Sequence, residues 1–268
     1  MRLANFEEKV TDFGNPNWVA YQTIVRTEIR RFTRIWVQTM IPPAITMTLY
    51  FIIFGSLIGS RIGEMGGFDY MAYIVPGLIM MSVITSSYAN VSSSFFGSKF
   101  GRFVEEMLVS PISNQTILLG YVTGGVARAV SVGLIVTVLS TFFTHLSVHN
   151  IFAVVSITIV TSVLFSLLGF INGVYAKRFD DVSLVPTFVL TPLTYLGGVF
   201  FSVDLLPEFW AGVAKLNPIL YVVNAFRYGI LGVSDISLGW AYGILLSMTV
   251  ITYVVAVRLL ANGAGVRS

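Results

Sequence analysis

The sequence predicts an all-α membrane protein with six transmembrane helices, an amphipathic interface helix at the N-terminus and short re-entrant outer helices between spans five and six. Hydrophobic residues make up 55% of the 268 residues and charged residues only 11%, against roughly 25% in a soluble domain. The mean hydropathy is +0.82. Most of the charge-free stretches reach the roughly 20 residues that cross a bilayer core. The short alternating strands typical of a membrane barrel do not occur in the sequence.

Six spans follow from these charge-free stretches. The longest stretch, residues 129–176, holds two spans, because residues 144–150 interrupt it with turn formers and two histidines. A cytoplasmic N-terminal region, residues 1–35, precedes a six-span transmembrane domain over residues 36–268. The predicted spans are residues 36–58, 72–93, 117–141, 151–175, 183–201 and 238–260.

The distribution of basic residues predicts which side of the membrane each loop faces. Six spans place both termini on one side, and because basic residues concentrate in cytoplasmic loops, we expect that side to be the cytoplasm. Residues 1–35 show no signal-peptide pattern, so the first span should act as the insertion signal. The net charge of +3 is too small to indicate nucleic-acid binding. The cytoplasmic side receives Arg2, Lys9, Arg26, Arg30, Arg31, Arg34, Lys99, Arg102, Lys177, Arg178, Arg258 and Arg267, against Arg61, Lys215 and Arg227 outside.

The stretch before the first span carries the pattern of an amphipathic helix, the interface helix. Its apolar residues recur at steps of three and four, whereas Arg26, Arg30 and Arg34 lie four residues apart on another face. Such a helix is expected to lie in the cytoplasmic headgroup layer of the membrane lipid, with its guanidinium groups near phosphate. Two roles fit equally well, a membrane anchor alone and a helix that also transmits force from a partner. The apolar face holds Trp18, Tyr21, Val25, Ile29, Phe32 and Trp36.

The loop between the second and third spans, residues 98–113, is the most charged of the predicted cytoplasmic loops. Pro111 should end a short helix there, because its ring disfavours helix at the preceding residue. The adjacent acids Glu105 and Glu106 lie on different faces, which is poor geometry for an acid–base pair. A solvated connector and a docking element both fit this loop. Its expected apolar face holds Phe100, Phe103, Met107 and Leu108.

The fifth span contains Pro186, Pro192, Gly197 and Gly198, so we expect it to be kinked or broken near its outer end. The outer segment after it, about residues 199–232, is too apolar for an ordinary loop and too interrupted for a span. Short re-entrant helices that dip partway into the outer leaflet fit this pattern, provided that protein or a water-filled cavity covers them.

The motifs of common active sites do not occur in the sequence. There is no G-x-x-x-x-G-K-[ST] phosphate loop, no H-E-x-x-H pair and no G-x-S-x-G elbow. His145 and His149 lie in one predicted outer turn, and the chain has no cysteine. We therefore expect no enzyme activity, no metal site and no cofactor bound by this chain.

Arg128 is the one charged residue near the middle of a predicted span, roughly half a span from either end. A guanidinium there costs on the order of 2.5–3.5 kcal/mol, so it should face the bundle interior or water. A structural role and a role in the transport path or in gating are both open. The many hydroxyl and amide groups of the second span should point at other helices or a cavity. Glycine pairs four residues apart, for which packing within the chain is the default expectation, occur at Gly55/Gly59, Gly120/Gly124, Gly169/Gly173 and Gly239/Gly243.

Two stretches resemble the ATP-binding cassette (ABC) type-2 permease family, and the resemblance covers nearly the whole chain. One is the cytoplasmic loop that ends Glu-Glu-Met-Leu-Val-Ser-Pro-Ile-Ser at residues 105–113. The other is the outer segment with Gly-Gly-Val-Phe-Phe at 197–201, Asn-Pro-Ile-Leu-Tyr at 217–221 and Arg227. The motifs occur in the family's order and on opposite predicted sides of the membrane. The family's usual threonine two residues after Asn-Pro is replaced by Leu220, so that position is not carried over.

The resemblance implies a bacterial inner-membrane permease that forms a homodimer and works with cytoplasmic ABC ATPase subunits, which bind ATP and magnesium. The interface helix would contribute Trp18, Arg26, Arg30 and Arg34. The implied coupling helix, about residues 98–113, seats in a cleft of the ATPase and contributes Lys99, Arg102, Phe103, Glu105, Glu106, Leu108 and Pro111. Candidates for the transport path or gating are Arg128, Phe200, Phe201, Asn217, Pro218, Tyr221 and Arg227.

The leading prediction is therefore the permease subunit of an ABC exporter, worked by alternating access. A chain without a nucleotide site needs an external energy source and a cytoplasmic handle through which to receive it. The alternative is a secondary active transporter without an ATPase partner, which should show an inverted repeat and acidic residues within its spans. Neither feature is found in the sequence. A structural or assembly protein of the membrane also fits the composition.

Overall fold

The computed structural model describes residues 15–263, which are almost entirely helical. A two-stranded antiparallel hairpin, β1 (Glu64–Met65) and β2 (Phe68–Asp69), joins the second helix to the third. In chain order the helices are α1 (Pro16–Arg34), α2 (Trp36–Ile62), α3 (Tyr70–Phe100), α4 (Phe103–Val109), α5 (Asn114–Ser140), α6 (Ile151–Tyr175), α7 (residues 179–195), α8 (Glu208–Lys215), α9 (Pro218–Leu231) and α10 (Leu238–Ala261).

Five of the described helices are long and apolar enough to cross a membrane: α2, α3, α5, α6 and α10. Each overlaps a predicted span. Within α2, the α-helix Trp36–Tyr50 continues as a π-helical stretch, Phe51–Ile58, and ends as Gly59–Ile62. With 31 residues at 1.5 Å each, α3 is about 46 Å long, so it extends beyond a hydrocarbon core of about 30 Å.

The predicted fifth span corresponds to α7, which is shorter and broken. It consists of Phe179–Val185, the π-helical Pro186–Leu190 and Thr191–Tyr195, with 7, 5 and 5 residues. Proline has no N–H to donate, so Pro186 interrupts the helical hydrogen bonding early in α7 rather than near its outer end. The helix stops at Tyr195, short of the predicted end at residue 201. The count of six spans therefore stays a prediction.

α3 is the central helix of the fold. It packs against α5, α6 and α9, and 83% of its apolar stretch is buried, against 12% for α2. Its backbone lies unusually close to α6, because a Cβ added at Gly169 would lie 2.4 Å from the carbonyl oxygen of Tyr88. The glycine pair at 169 and 173 thus packs within the chain, as expected.

The hydroxyl groups of α3 are mostly turned toward neighbouring helices. Ser82 and Ser87 are buried there, and each donates to a carbonyl oxygen one turn earlier in α3, at 3.1 and 2.8 Å. Asn90 and Ser94 instead bind side chains of α1. The predicted orientation is therefore met, although most of these hydrogen bonds stay within α3.

The outer segment forms a 3₁₀ turn (Val203–Leu205), the short helix α8 and the longer helix α9. α9 is buried against α3, α6 and α10. α8 exposes Phe209 and Trp210. Two short apolar helices agree with the sequence pattern, and their insertion into the outer leaflet stays a prediction.

Candidate coupling and transport sites

The interface helix, α1, runs alongside the first half of α5 and in the same direction. At its start the Oδ1 of Asn17 accepts the backbone N–H of Ser113 at 2.8 Å. Further along, Ile24 meets Gly120 and Glu28 meets Gly124 so closely that a Cβ at either glycine would lie within 2.7 Å of them. The matched spacing of these contacts keeps the two helices together for about 16 Å. The position of α1 relative to lipid headgroups stays a prediction.

The packed face of α1 carries a charge. Glu28 is buried, and its carboxylate forms an ion pair with Arg31 at 3.2 Å. The same Nη2 of Arg31 lies 2.9 Å from both the backbone and the side-chain oxygen of Asn90. Ser94 donates a short hydrogen bond to the other carboxylate oxygen of Glu28. These four residues, the Glu28 node, tie α1 to the central helix α3.

The predicted coupling loop contains a short helix, α4. It begins after Arg102, which adopts a left-handed conformation (φ 62°), and it ends at Ser110, which is extended before Pro111. The prediction that Pro111 ends this helix is confirmed. The expected apolar face is not continuous, because Phe100 belongs to α3 and the chain turns at residues 101–102 before Phe103. Side chains exposed around α4 are those of Arg102, Phe103, Glu105, Glu106, Val109 and Pro111, with Leu108 half-buried.

Lys99 differs from the other predicted coupling residues, because its charge is already bound within the chain. Its ammonium group donates to the carbonyl oxygens of Val174 and Ala176 at 2.6 and 2.8 Å. These carbonyls lie at the C-terminal end of α6, where the helix dipole favours a cation. Lys99 therefore joins the end of α3 to the end of α6. The charges exposed to solvent around α4 are instead those of Arg102, Glu105 and Glu106.

A cavity of about 400 Å³ separates α1 from α4. Phe103 and Met107 of α4 line one wall, and Ile24 and Thr27 of α1 line the opposite wall. Glu28 also contributes to its lining. The interface helix and α4 therefore face each other across this cavity, and Glu28 is the residue of the Glu28 node that lines it.

In the outer segment, Arg227 of α9 is almost completely buried, with 1% of its surface exposed. Its Nη2 donates to the carbonyl oxygen of Gly198 at 2.6 Å, and its Nε donates to that of Tyr73 at 3.3 Å. The guanidinium carbon also lies 3.9 Å from the centre of the Tyr73 ring, a cation–π contact. Arg227 therefore fastens α9 to the start of α3 and to the turn after α7.

Asn217, Pro218 and Tyr221 build the start of α9. The side chain of Asn217 accepts the backbone N–H of Ile219 at 3.0 Å, which caps the helix, and Pro218 occupies the first helical position. The hydroxyl of Tyr221 donates to the carbonyl oxygen of Lys215 at 2.7 Å. In this conformation these residues shape the outer segment, and their part in a transport path stays a prediction.

Phe200 lies in an aromatic cluster that joins α2, α7 and the outer turn. Its ring centre is 4.6 Å from that of Phe54 and 5.9 Å from those of Tyr50 and Tyr195. The hydroxyls of Tyr50 and Tyr195 are 3.2 Å apart. Phe201 is half-buried beside this cluster in the chain.

Arg128 lies about halfway along α5, as the sequence predicted. It follows Gly124 by one turn of α5, and Gly124 packs on Glu28, so Arg128 reaches the level of Arg31 near the end of α1. The first span begins only two residues after α1, at Trp36. The first half of α5 thus packs along α1. A part for Arg128 in the transport path or in gating stays a prediction.

Sequence reasoning missed Glu28 and Arg31. The predicted apolar face of α1 included Phe32, whereas the residues that pack on α5 are Glu28 and Ile24, one and two turns earlier. These three residues recur at steps of four, which was the available signal. An acid at an apolar position with a base three residues later is typical of a buried or half-buried ion pair.

Comparison with known proteins agrees with this architecture. The family model "ABC-2 type transporter" matches residues 19–231. The inner membrane transport permease YadH of Escherichia coli (strain K12) is 59% identical over 251 residues, which cover 94% of this chain and 98% of the relative. Nodulation protein J of Rhizobium leguminosarum bv. viciae is 22% identical over 248 residues, covering 92% and 95%. That of Neorhizobium galegae is 23% identical over 250 residues, covering 92% and 94%.

The family match spans α1 to α9 and therefore includes the interface helix, the α4 loop and the outer segment. The long apolar helices are those of a multi-pass integral membrane protein. Family model and sequence identity together give one conclusion: the chain belongs to the ABC-2 type transporter family.

Proposed function

We propose that the chain is the transmembrane permease subunit of an ABC exporter in the bacterial inner membrane. Substrate would cross by alternating access, driven by ATP hydrolysis on a separate cytoplasmic ATPase that holds ATP and magnesium. The observation that carries this proposal is the match to the ABC-2 family over residues 19–231, together with 59% identity to a relative named as an inner membrane transport permease.

The contacts around α4 support a coupling role for the loop. Glu105 and Glu106 are exposed there, which suits a surface that meets a partner. A displacement of α4 would pass directly into α3, which it follows in the chain, and through Lys99 into the end of α6. The Glu28 node would carry the same displacement between α3 and α1. These links connect the exposed loop to three helices of the membrane domain.

The proposed topology places both termini in the cytoplasm and counts α7 as the fifth of six spans. α8 and α9 would then be the outer re-entrant helices, with Arg227 and Asn217 holding them in place. We propose that two copies form the working permease, with membrane lipid around them. The low burial of α2, at 12% of its apolar stretch, leaves a face for lipid or for the second copy.

The alternative, a secondary active transporter, requires an ionisable group that binds a coupling ion within the membrane. Among the described residues, Glu28 is the one buried carboxylate, and it is paired with Arg31. A paired carboxylate on a peripheral helix is a poor ion carrier. The structure therefore offers this alternative little support.

The test is co-purification combined with an activity measurement. An affinity-tagged full-length chain, extracted in mild detergent from the bacterium that encodes it, is expected to bring down an ABC ATPase identified by mass spectrometry. Vesicles containing that complex should transport only with ATP. Recovery of the chain without an ATPase, together with transport driven by an ion gradient alone, would refute the proposal and favour the alternative.

A further inference from the structure

One side chain joins the start of the interface helix to the end of the coupling loop, residues 98–113. The Oδ1 of Asn17, in the first turn of α1, accepts the backbone N–H of Ser113 at 2.8 Å and the hydroxyl of Thr116 at 3.1 Å. Ser113 caps α5, because its hydroxyl accepts the backbone N–H of Thr116 at 3.1 Å. Asn17 therefore binds both members of this cap, at the point where the loop ends and α5 begins.

The two ends of the coupling loop are held by different helices. Its first residues belong to the end of α3, which stops at Phe100. Its end is bound to α1, and within residues 15–263 the hydrogen bond between Ser113 and Asn17 is the one that joins the loop to that helix. Between these ends, α4 lies across the cavity of about 400 Å³ from α1. Asn17 is therefore the polar contact that holds the end of the loop on α1.

The interface helix is fastened a second time further along. Glu28 lies about three turns, or 16 Å, after Asn17 on α1, and it meets Gly124, which follows Ser113 by the same spacing on α5. The Glu28 node also ties this level of α1 to α3. α1 therefore forms a second connection between the coupling loop and α3, beside the direct one along the chain.

We propose that Asn17 is a positioning residue of coupling, which makes α1 follow the end of the coupling loop when a partner displaces that loop. A displacement would then reach α3 by two routes, directly along the chain and through Asn17, α1 and the Glu28 node. Asn17 acts through Ser113 and Thr116 and does not need to touch the partner. This inference rests on the coupling role proposed above for the loop.

The test measures the distance between the loop and α1 in the full-length chain. The sequence contains no cysteine, so the pair Arg26→Cys on α1 and Val109→Cys on α4, both at exposed positions, can carry two spin labels. Pulsed electron paramagnetic resonance should give a narrow distance distribution with Asn17 present. The distribution should stay narrow when the complex with the co-purified ATPase is trapped with ATP and vanadate, because the two labels move together. Asn17→Ala should broaden it about twofold and shift it on trapping.

Matched variants separate this role from helix stability. Asn17→Asp keeps the acceptor oxygen and places a negative charge at two helix N-termini, so it should keep the narrow distribution. Asn15→Ala removes the N-cap of α1 but no contact with the loop, so the distribution should not change. The N–H of Ser113 is exposed and water can replace the lost acceptor, so Asn17→Ala should lower Tm by no more than about 4 °C.

Thr116→Val removes one of the two hydrogen bonds to Asn17 and should broaden the distribution less than Asn17→Ala, which covers the case in which the alanine variant does not fold. Equal widths with and without these two substitutions, before and after trapping, overturn the proposal. An ATPase missing from the wild-type preparation would instead refute the proposed function, and the widths measured without nucleotide would still decide whether Asn17 fixes the loop to α1.

Discussion

Replacing Glu28 with alanine is expected to cost about 3 kcal/mol of stability, because it dismantles the contact between α1 and α3. The hydrogen bond from Ser94 to the carboxylate is charged and buried, worth about 1.5 kcal/mol. The ion pair with Arg31 is worth only about 1 kcal/mol, since the arginine side chain is 31% exposed and its charge is partly screened. The longer contact from Asn90, at 3.4 Å, adds about 0.5 kcal/mol.

The assay is thermal melting of the purified chain. For a protein of this size a loss of about 3 kcal/mol should lower Tm by roughly 6–12 °C. Glu105→Ala is the matched control, because that carboxylate is exposed and its loss should change stability by less than about 0.5 kcal/mol. Arg31→Ala should cost less in the Glu28→Ala background than in wild type. A Tm within about 1 °C of wild type for Glu28→Ala, with no coupling in the double variant, would refute the reasoning.

Three further predictions concern α4, the close packing of α3 on α6, and Lys99. Glu106→Arg in α4 should abolish co-purification of the proposed ATPase partner without lowering Tm. Glu64→Arg in the β1–β2 hairpin, which the proposed topology places on the outer side, should leave co-purification intact. Retained binding by both variants would exclude α4 from the proposed interface. Gly169→Leu should lower Tm by several degrees, because a side chain there strikes the backbone of α3, whereas Gly243→Leu, with open space around it, should not; equal melting would contradict the close packing. Lys99→Met should speed amide hydrogen exchange at the end of α6, because it removes the ammonium group that binds the last carbonyl oxygens of that helix. Unchanged exchange would show that this contact does not stabilise the end of α6.

The spanning helices were the most predictable part of the fold. Charged residues are unfavourable in the hydrocarbon core of a bilayer, so charge-free stretches mark the helices that cross it. For most helix ends, the predicted boundary lies within a few residues of the observed one in α2, α3, α5, α6 and α10. The breaks and the end of α7 were harder to predict, because its two prolines interrupt the regular α-helix without adding any charge that would mark its end. Its first break lies at Pro186, where the hydrophobic pattern alone shows no interruption.

The contacts of the candidate site residues were less predictable than the helices, for a physical reason. Sidedness was read from the number of basic residues, and that count treats Arg31 like any other arginine although it is tied to Glu28 and Asn90. The position of Arg128 halfway along α5 was predictable, but its level beside the end of α1 was not, because the sequence does not reveal that the first half of α5 packs along α1. Pro111 was predicted correctly, since the conformational restriction it imposes is local.

The length of α3 has a mechanical consequence. This helix is held near its first residues, where Arg227 donates to the carbonyl oxygen of Tyr73, and again toward its last residues by the Glu28 node and by Lys99. A straight helix held near both ends cannot tilt at one end without also moving at the other. If α3 pivots about its crossing with α6 near Gly169, the movement of its Tyr73 end and that of its Lys99 end would be a single rotation, with no separate signal needed to synchronise them.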